Sequence, residues 1–209
     1  DMVMVSEIRE SAAANALIAA VQSGHLCLST VHAQSAIGII PRLTSANIGV
    51  PRDVLADKDF LRVLCNQSLV QTLCENCKVP LRDFEAGMRD RRLMGRREFY
   101  KTMIGQFDDA GLSTDSIGFR NAKGCPQCNK SGVTGVRVIA ETIQPDYQLL
   151  SYIHENRNYD AFNYWVNELK GVTLMDHALM LIEEGSIDPY KIFLNYGNLK
   201  PSNFRSGMR

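Results

Sequence analysis

The sequence lacks an excess of charge of either sign and lacks any long hydrophobic run. Its 23 Lys and Arg residues balance 23 Asp and Glu residues, so net charge predicts no general attraction to nucleic acid or to an anionic membrane. The longest uncharged apolar stretches, such as residues 12–21, have about half of the roughly 20 residues that a bilayer-spanning helix needs. The amino-terminal residues show no secretory signal pattern. These absences favour a soluble globular protein.

Cysteine is scarce, and four of the six cysteines form two CxxC pairs, Cys74 with Cys77 and Cys125 with Cys128. Each pair supplies two thiolates from a tight turn, and two such turns complete a tetrahedral Zn²⁺ site with no open position for catalysis. The loop between the pairs, residues 78–124, exceeds the roughly 15–20 residues of a compact zinc ribbon. In a reducing compartment metal ligation is favoured over disulfides. We therefore expect a structural zinc rather than a redox or disulfide role.

The amino-terminal segment alternates strand and helix patterns. Residues 2–5 form a short apolar run, which is typical of a strand buried on both faces of a parallel sheet. An Ala-rich helix is predicted over residues 11–22, a second strand over 26–31 and a second helix over 35–47. This order predicts a crossover unit in a covered parallel sheet.

The rest of the chain is predicted to contain a small inserted module followed by helices. The pattern is helical over residues 54–73, and the composition changes at Cys74, where the cysteine pairs and an Arg-rich run begin. Thr173 and Asp176 form a capping box before another helix, and the last ten residues are predicted to be frayed. The expected fold class is α/β, divided into a partial parallel sheet with flanking helices (residues 1–73), a tetracysteine zinc module (74–141) and a C-terminal helical subdomain (142–209).

A carboxylate and a histidine are predicted to meet at one edge of the sheet. Glu7 follows the first strand and His32 follows the second, and the carboxyl ends of parallel strands share an edge. In nucleotide hydrolases of the P-loop class an acid at this edge lies beside Mg²⁺ and the γ-phosphate. Arg9 and Arg42 are near enough to reach a phosphate or an acid of a neighbouring subunit. The alternatives are a Glu in the first turn of a helix and a His hydrogen-bonded at a strand end.

The two histidines around the second strand are not a metal pair. His25 and His32 are seven positions apart, which on a strand places them on opposite faces and roughly 23 Å apart, at about 3.3 Å per residue.

An arginine cluster offers a different interpretation of the module. Five arginines fall in one short run, namely Arg89, Arg91, Arg92, Arg96 and Arg97. Such a run is typical of a contact with nucleic acid or an acidic partner, and also of a solvated helix face. The alternative function is therefore a non-enzymatic zinc module that binds nucleic acid or protein through residues 89–97.

Together these motifs resemble the C-terminal half of a type II secretion or type IV pilus assembly ATPase. "SEIRE" (residues 6–10) is similar to the "GEIRD" of the family's Walker B strand, and "SGHLCLSTVHAQ" (23–34) to its histidine box. Residues 64–78 and 124–141 are similar to its two cysteine motifs. The chain departs from the family pattern at five positions. Ser6 stands where the family has Gly, Glu10 where it has Asp, and Ser68, Gln71 and Val136 where it has Arg.

The resemblance implies a RecA-like fold and an ATPase site. It makes Glu7 the acid that polarises the attacking water or holds Mg²⁺ through water, and His32, less directly His25, a contact of the γ-phosphate. It implies zinc in the cysteine module, ATP and Mg²⁺ as further ligands, and no sequence-specific nucleic acid partner. It also implies a hexameric ring in the cytoplasm, docked on a platform protein at the inner-membrane face.

The phosphate-binding loop of that family does not occur in the 209 residues, which contain no GxxxxGK[ST] motif. Without the backbone N–H groups and the Lys of that loop, the β- and γ-phosphates lack their principal binding site. Because the chain opens on Asp1 directly before the strand, we expect a fragment that hydrolyses ATP negligibly by itself, within a full-length protein that is an ATPase.

Overall fold

The computed structural model describes residues 1–87 and 97–202 and shows a mixed α/β fold with a small parallel sheet. A 3₁₀ turn covers Pro126–Cys128. In chain order the elements are β1 (Met2–Glu7), α1 (Ser11–Gln22), β2 (Leu26–Thr30), α2 (Ile39–Leu43), α3 (Arg52–Leu55), β3 (Leu64–Leu73), β4 (Val79–Pro80), α4 (Leu81–Gly87), α5 (Arg97–Asp109), β5 (Gly118–Phe119), β6 (Val133–Ile143), α6 (Tyr147–His154), α7 (Asn158–Asn167), α8 (Leu174–Glu183) and α9 (Pro189–Tyr196).

The chain divides into two compact units that differ from the three predicted segments. Unit 1 comprises Asp1–Asn66 and Glu141–Val172, and unit 2 comprises Gln67–Ala140 and Thr173–Arg209. The expected C-terminal subdomain is therefore split, because α6 and α7 bury their apolar faces in the core of unit 1, whereas α8 and α9 bury theirs with the cysteine module.

Unit 1 is built on the strands β1 and β2, which pair with each other in parallel. Helix α1 connects the end of β1 to the start of β2. Alternate side chains of the pair point inward, where Val5 and Cys27 pack against the core. The side chains on the other face are exposed, at 64% for Met2, 72% for Met4, 47% for Leu26 and 49% for Leu28. The prediction that these strands are buried on both faces was wrong, because apolar composition does not show whether a second layer covers a sheet.

The core of unit 1 lies between the inner face of this strand pair and short helices from both parts of the unit. Asp146 caps α6 by accepting a hydrogen bond from the Leu149 backbone N–H at 2.9 Å, and its other oxygen accepts one from the Tyr164 hydroxyl at 2.8 Å. The core includes Ile8, Ala14, Leu17, Ile40, Leu43, Leu55, Leu149, Ile153 and Trp165.

Two predicted helices differ from the structure. The helix expected over residues 35–47 is shorter, since only α2 is helical there and turns flank it. The helix expected over residues 54–73 is wrong, because its second half is the strand β3, which pairs with β6. Buried or partly buried residues recur at every second position from Leu64 to Val70, which is the period of a strand.

Unit 2 contains a second core, formed by α5, α8 and α9 around β3, β5 and β6. The predicted capping box of α8 is confirmed, because Thr173 and Asp176 exchange side chain–backbone hydrogen bonds. The prediction that residues 200–209 are frayed was wrong as far as Ser202, and residues 203–209 lie outside the part of the chain that the structure describes. Leu199 is buried and its N–H donates to the Gln106 side chain at 2.8 Å, and the Ser202 N–H donates to Asp176 at 2.9 Å.

Within the two described ranges, none of the helices combines the length and the apolar character needed to cross a membrane.

Candidate functional site

A β-bulge shapes the carboxyl edge of the parallel pair. The pairing register shifts between Val5 and Glu7, so Ser6 is the extra residue and Glu7 lies opposite Thr30. The Thr30 hydroxyl donates a hydrogen bond to the Ser6 carbonyl at 2.7 Å, and the Ile8 N–H donates to the Thr30 carbonyl at 2.9 Å. Thr30 therefore fixes the backbone on both sides of Glu7, which is how bulges direct side chains near functional sites.

The structure brings Glu7, Arg9 and His32 together at this edge. One carboxylate oxygen of Glu7, Oε2, lies 2.7 Å from Arg9 Nη2, and the other, Oε1, lies 3.3 Å from His32 Nε2. The Glu7 side chain is 24% exposed, whereas those of Arg9 and His32 are 71% and 84% exposed. The partly buried carboxylate of Glu7 thus faces two solvent-accessible side chains, the positively charged guanidinium of Arg9 and the imidazole of His32, which is positive when protonated.

The surroundings of Glu7 keep its carboxylate ionised. The hydrogen bond from Arg9 lowers the pKa of Glu7 below its ordinary value, and the nearby charges of Arg9, His32 and Arg42 act in the same direction. Partial burial opposes them but does not reverse the shift. The same contact raises the pKa of Arg9. Glu7 is therefore a weak base that is suited to accept hydrogen bonds or to hold a cation.

One oxygen of Glu7 has its hydrogen-bonding capacity unused. Oε1 is buried and has no hydrogen bond of good geometry to any described residue, although His32 Nε2 is close enough for an ion pair. The hydroxyl oxygen of Ser29, on the inner side of β2, is buried and unpartnered in the same way. Buried polar atoms without partners are uncommon in folded proteins. An unsatisfied carboxylate oxygen at a sheet edge fits Mg²⁺, directly or through a bound water.

The two other predicted site residues lie in different places. Arg42, in α2, contributes its charge to the lowering of the Glu7 pKa. His25 precedes β2 at the end opposite His32, and its Nδ1 is 3.2 Å from the Ala20 carbonyl of α1. The structure therefore does not bring His25 to the edge where Glu7 lies, because the length of β2 separates the two histidines.

The segment that follows His32 is held by two side chains, those of Asn66 and Glu141, to which sequence analysis assigned no role in the site. The Asn66 amide donates to the Gln34 carbonyl at 3.1 Å. The Glu141 carboxylate accepts a hydrogen bond from the Ala36 N–H at 2.5 Å, across 105 positions of the chain. No local pattern predicts a contact over that separation. The sequence signal for Glu141 was its match to the last residue of the second cysteine motif, residues 124–141, which does not show what it contacts.

The four predicted metal ligands form one cluster. Their sulfur atoms all lie within 4.8 Å of one another. The Sγ–Sγ distance is 3.8 Å between Cys74 and Cys125, 3.9 Å between Cys77 and Cys128, and 3.7 Å between Cys125 and Cys128. Four ligands in a tetrahedron with Zn–S bonds of about 2.3 Å lie about 3.8 Å apart. The cluster is thus of the size that holds one such ion, and its soft donors fit zinc.

Hydrogen bonds within the turns stabilise thiolates in this cluster. The backbone N–H groups of Cys125 and Gly132 each donate to the Cys128 sulfur at 3.2 Å, and they lower the pKa of Cys128 to about 6. The Asn76 amide donates to the Cys125 sulfur at 3.4 Å and lowers the pKa of Cys125. Burial, the largest cause, raises the pKa of Cys77 to about 12.

The predicted arginine cluster lies largely outside the described residues. Arg89, Arg91, Arg92 and Arg96 fall in the range that the structure does not describe, and Arg97 is the exposed first residue of α5.

Comparison with known proteins identifies the family. Residues 1–193 match the family model described as "Type II/IV secretion system protein". The chain belongs to this family. The resemblance inferred from the Walker B and histidine-box motifs is thereby confirmed.

Individual relatives come from type II secretion and from type IV pilus assembly. The chain is 34% identical over 161 residues to the "Type II secretion system ATPase E" of Vibrio cholerae, a match that covers 77% of this chain and 28% of the relative. It is 36% identical over 154 residues to the "Type II secretion system protein E" of Pseudomonas aeruginosa, covering 74% and 26%. It is 30% identical over 146 residues to the "Type IV pilus assembly ATPase PilB" of Myxococcus xanthus, covering 68% and 22%. The matches thus span about a quarter of the length of these relatives.

Proposed function

We propose that this chain supplies the catalytic carboxylate, Glu7, and the phosphate-facing histidine, His32, of a motor ATPase that powers type II secretion or type IV pilus assembly. The observation that carries the proposal is the pairing of Glu7, whose Oε1 has unused hydrogen-bonding capacity, with His32 at the carboxyl edge of a parallel strand pair. Family membership supports the same function. A non-enzymatic zinc module that binds nucleic acid would have no need of such a pair.

The residues at this edge divide the chemistry among them. Glu7, kept ionised by Arg9, orients the water that attacks the γ-phosphate or holds Mg²⁺ through a bound water. Mg²⁺, which Glu7 would hold through a bound water, would supply positive charge to the phosphate oxygens. His32, largely exposed, faces the γ-phosphate, and Arg42 adds positive charge nearby. The RecA-like fold of the family is compatible with the observed strand pair.

The motor as a whole is proposed to be a hexamer in the cytoplasm, docked on a platform protein at the inner-membrane face. The 209 residues contain no GxxxxGK[ST] motif, so the phosphate-binding loop of the motor is proposed to lie in another segment of the full-length protein. The chain by itself is therefore proposed to hydrolyse ATP negligibly. Zn²⁺, held by Cys74, Cys77, Cys125 and Cys128, is proposed as its structural metal.

The test is a substitution of Glu7 in the full-length protein that contains this chain. Glu7→Gln keeps the size of the side chain but removes its charge, and we expect ATP turnover to fall by about 10²–10³-fold, as when one transition-state contact is lost. Binding of ATP should persist because the phosphate-binding loop is intact. Glu155→Gln, which alters a half-exposed glutamate paired with Arg157, is the matched control.

Two results would contradict the proposal. The first is a Glu7→Gln protein whose turnover stays within twofold of the unsubstituted protein. The second, which concerns the chain by itself, is a turnover by purified residues 1–209 as fast as that of the full-length protein.

A further inference from the structure

The loop that connects His32 to α2 is fixed at its far end by a buried carboxylate. Glu141, near the end of β6, is 6% exposed, and its Oε1 accepts a hydrogen bond from the backbone N–H of Ala36, which is fully buried. Burying a carboxylate is unfavourable unless hydrogen bonds replace its lost water. Charge-assisted hydrogen bonds of this kind are also stronger than neutral ones. The position of Ala36 relative to β6 is therefore closely defined.

The position of His32 depends on this loop rather than on side-chain packing. Its imidazole is 84% exposed, so little of the core surrounds it. Before it, Thr30 is fixed opposite Glu7 by strand pairing, and Val31 packs against the core. After it, Ala36 is the next residue that is fully buried and hydrogen-bonded to a side chain of another strand. The backbone that carries His32 is thus held at both ends.

We propose that Glu141 is a positioning residue for the hydrolysis site: by holding Ala36 it fixes the backbone that presents His32 Nε2 to Glu7. The inference rests on the proposed function for its importance to turnover, but the positioning itself is a property of unit 1. Asn66, which donates to the Gln34 carbonyl, supports the same loop from the neighbouring strand β3. A glutamate that only stabilised the core would leave the contact between Glu7 and His32 intact.

The experiment measures that contact directly, by NMR of the imidazole of His32 in the chain 1–209. Glu7→Gln removes the charge that faces His32 Nε2 and should shift the His32 Hε1 resonance. In a Glu141→Ala background the same Glu7→Gln substitution should produce less than half of that shift, because the loop no longer holds the imidazole in place. Glu141→Gln keeps an oxygen acceptor for the Ala36 N–H and should restore most of the shift.

Glu183 provides a matched control, since its carboxylate also accepts a hydrogen bond from a backbone N–H, that of Ser113, at 2.8 Å. Glu183 belongs to unit 2, so Glu183→Ala should leave the response of His32 to Glu7→Gln unchanged. If Glu141→Ala does not fold, Glu141→Asp, which withdraws the carboxylate by one methylene, decides by the same criterion. A full-sized shift in the Glu141→Ala or Glu141→Asp background overturns the proposal.

Turnover is measured separately in the full-length protein. We expect Glu141→Ala to lower kcat by about tenfold, as when a general catalytic contact is misplaced, and to change KM for ATP little. If Glu7→Gln leaves turnover unchanged, the proposed function fails, and the NMR shifts still decide whether Glu141 positions His32. If Glu7→Gln abolishes turnover but Glu141→Ala leaves the Glu7–His32 response intact, only the positioning role fails.

Discussion

Glu7 depends on Arg9 more than on any other residue for its ionisation. The hydrogen bond from Arg9 is the largest cause of its lowered pKa. A carboxylate whose pKa is lower in the folded than in the unfolded chain stabilises the fold above its ordinary pKa, here 4.5. That stabilisation is lost as the pH falls through the lowered value. Because Arg9 is 71% exposed, solvent screening keeps the effect on global stability small.

The first prediction concerns this dependence. Arg9→Ala should raise the pKa of Glu7 towards its ordinary value, and ¹³C NMR of the side-chain carboxyl would measure the change. Arg157→Ala is the matched control, because Arg157 is a half-exposed arginine of the same unit that pairs with Glu155 and Asp160. It should leave the titration of Glu7 unchanged. An equal response of Glu7 to both substitutions would show that Arg9 has no particular role.

The site residues that could be predicted from the sequence are those that directly follow strand ends. Glu7 and His32 were placed at one edge because parallel strands align their carboxyl ends, and the structure puts their side chains in contact. Glu141 could not be found in this way, because its contact with Ala36 depends on how β6 packs in unit 1. The resemblance to the family motif implied that His25, less directly than His32, contacts the γ-phosphate. In the structure His25 lies at the opposite end of β2 from His32, because the length of the strand separates them.

At the scale of elements, local signals succeeded where they were chemically specific. The capping box of α8 and the bounds of α1 were predicted from residue type and spacing. The strand β3 was not, because its inward positions include Asn66 and Ser68, which interrupt the apolar alternation that identifies strands. Pairing with β6, distant in sequence, overrides the weak local preference.

The second prediction concerns the two CxxC turns. The intact chain should bind about one Zn²⁺, because one Cys₄ cluster suffices for one tetrahedral ion. Cys125→Ser should lose most of that metal and should destabilise the turns, since metal binding and folding of such modules are coupled. Cys65→Ser, which changes an exposed cysteine outside the cluster, should retain both metal and stability. Equal zinc contents in the two variants, measured by elemental analysis, would rule out this site.

At the scale of the whole molecule, each of the two units is formed by two separate segments of the chain. Residues 1–66 and 141–172 build one core, and residues 67–140 and 173 onward build another. The change of composition at Cys74 could not show that the second unit begins at Gln67 or that the later helices are shared between the two cores. Which core an amphipathic helix joins is decided by tertiary packing, and α6 and α8 carry similar apolar faces.

The third prediction tests the core of unit 1. A Cβ added at Gly171 would overlap the indole ring of the buried Trp165, so Gly171→Ala should destabilise the fold by about 1–3 kcal/mol, as overpacking does. Because the chain has one tryptophan, its fluorescence during urea unfolding reports on this core. Gly135→Ala, at a position with open space around it, is the control. Equal stabilities of the two variants would contradict the packing argument.

The uncovered face of the β1–β2 pair has a chemical consequence. Met2 and Met4 present their thioethers to solvent there, whereas Met103 is fully buried. Peroxide should therefore convert Met2 and Met4 to sulfoxides well before Met103, which would make this apolar surface polar. A molecule bound to this face would slow the oxidation of both methionines. The rate at which the amino-terminal peptide gains the mass of added oxygen would therefore measure how much of the face is covered.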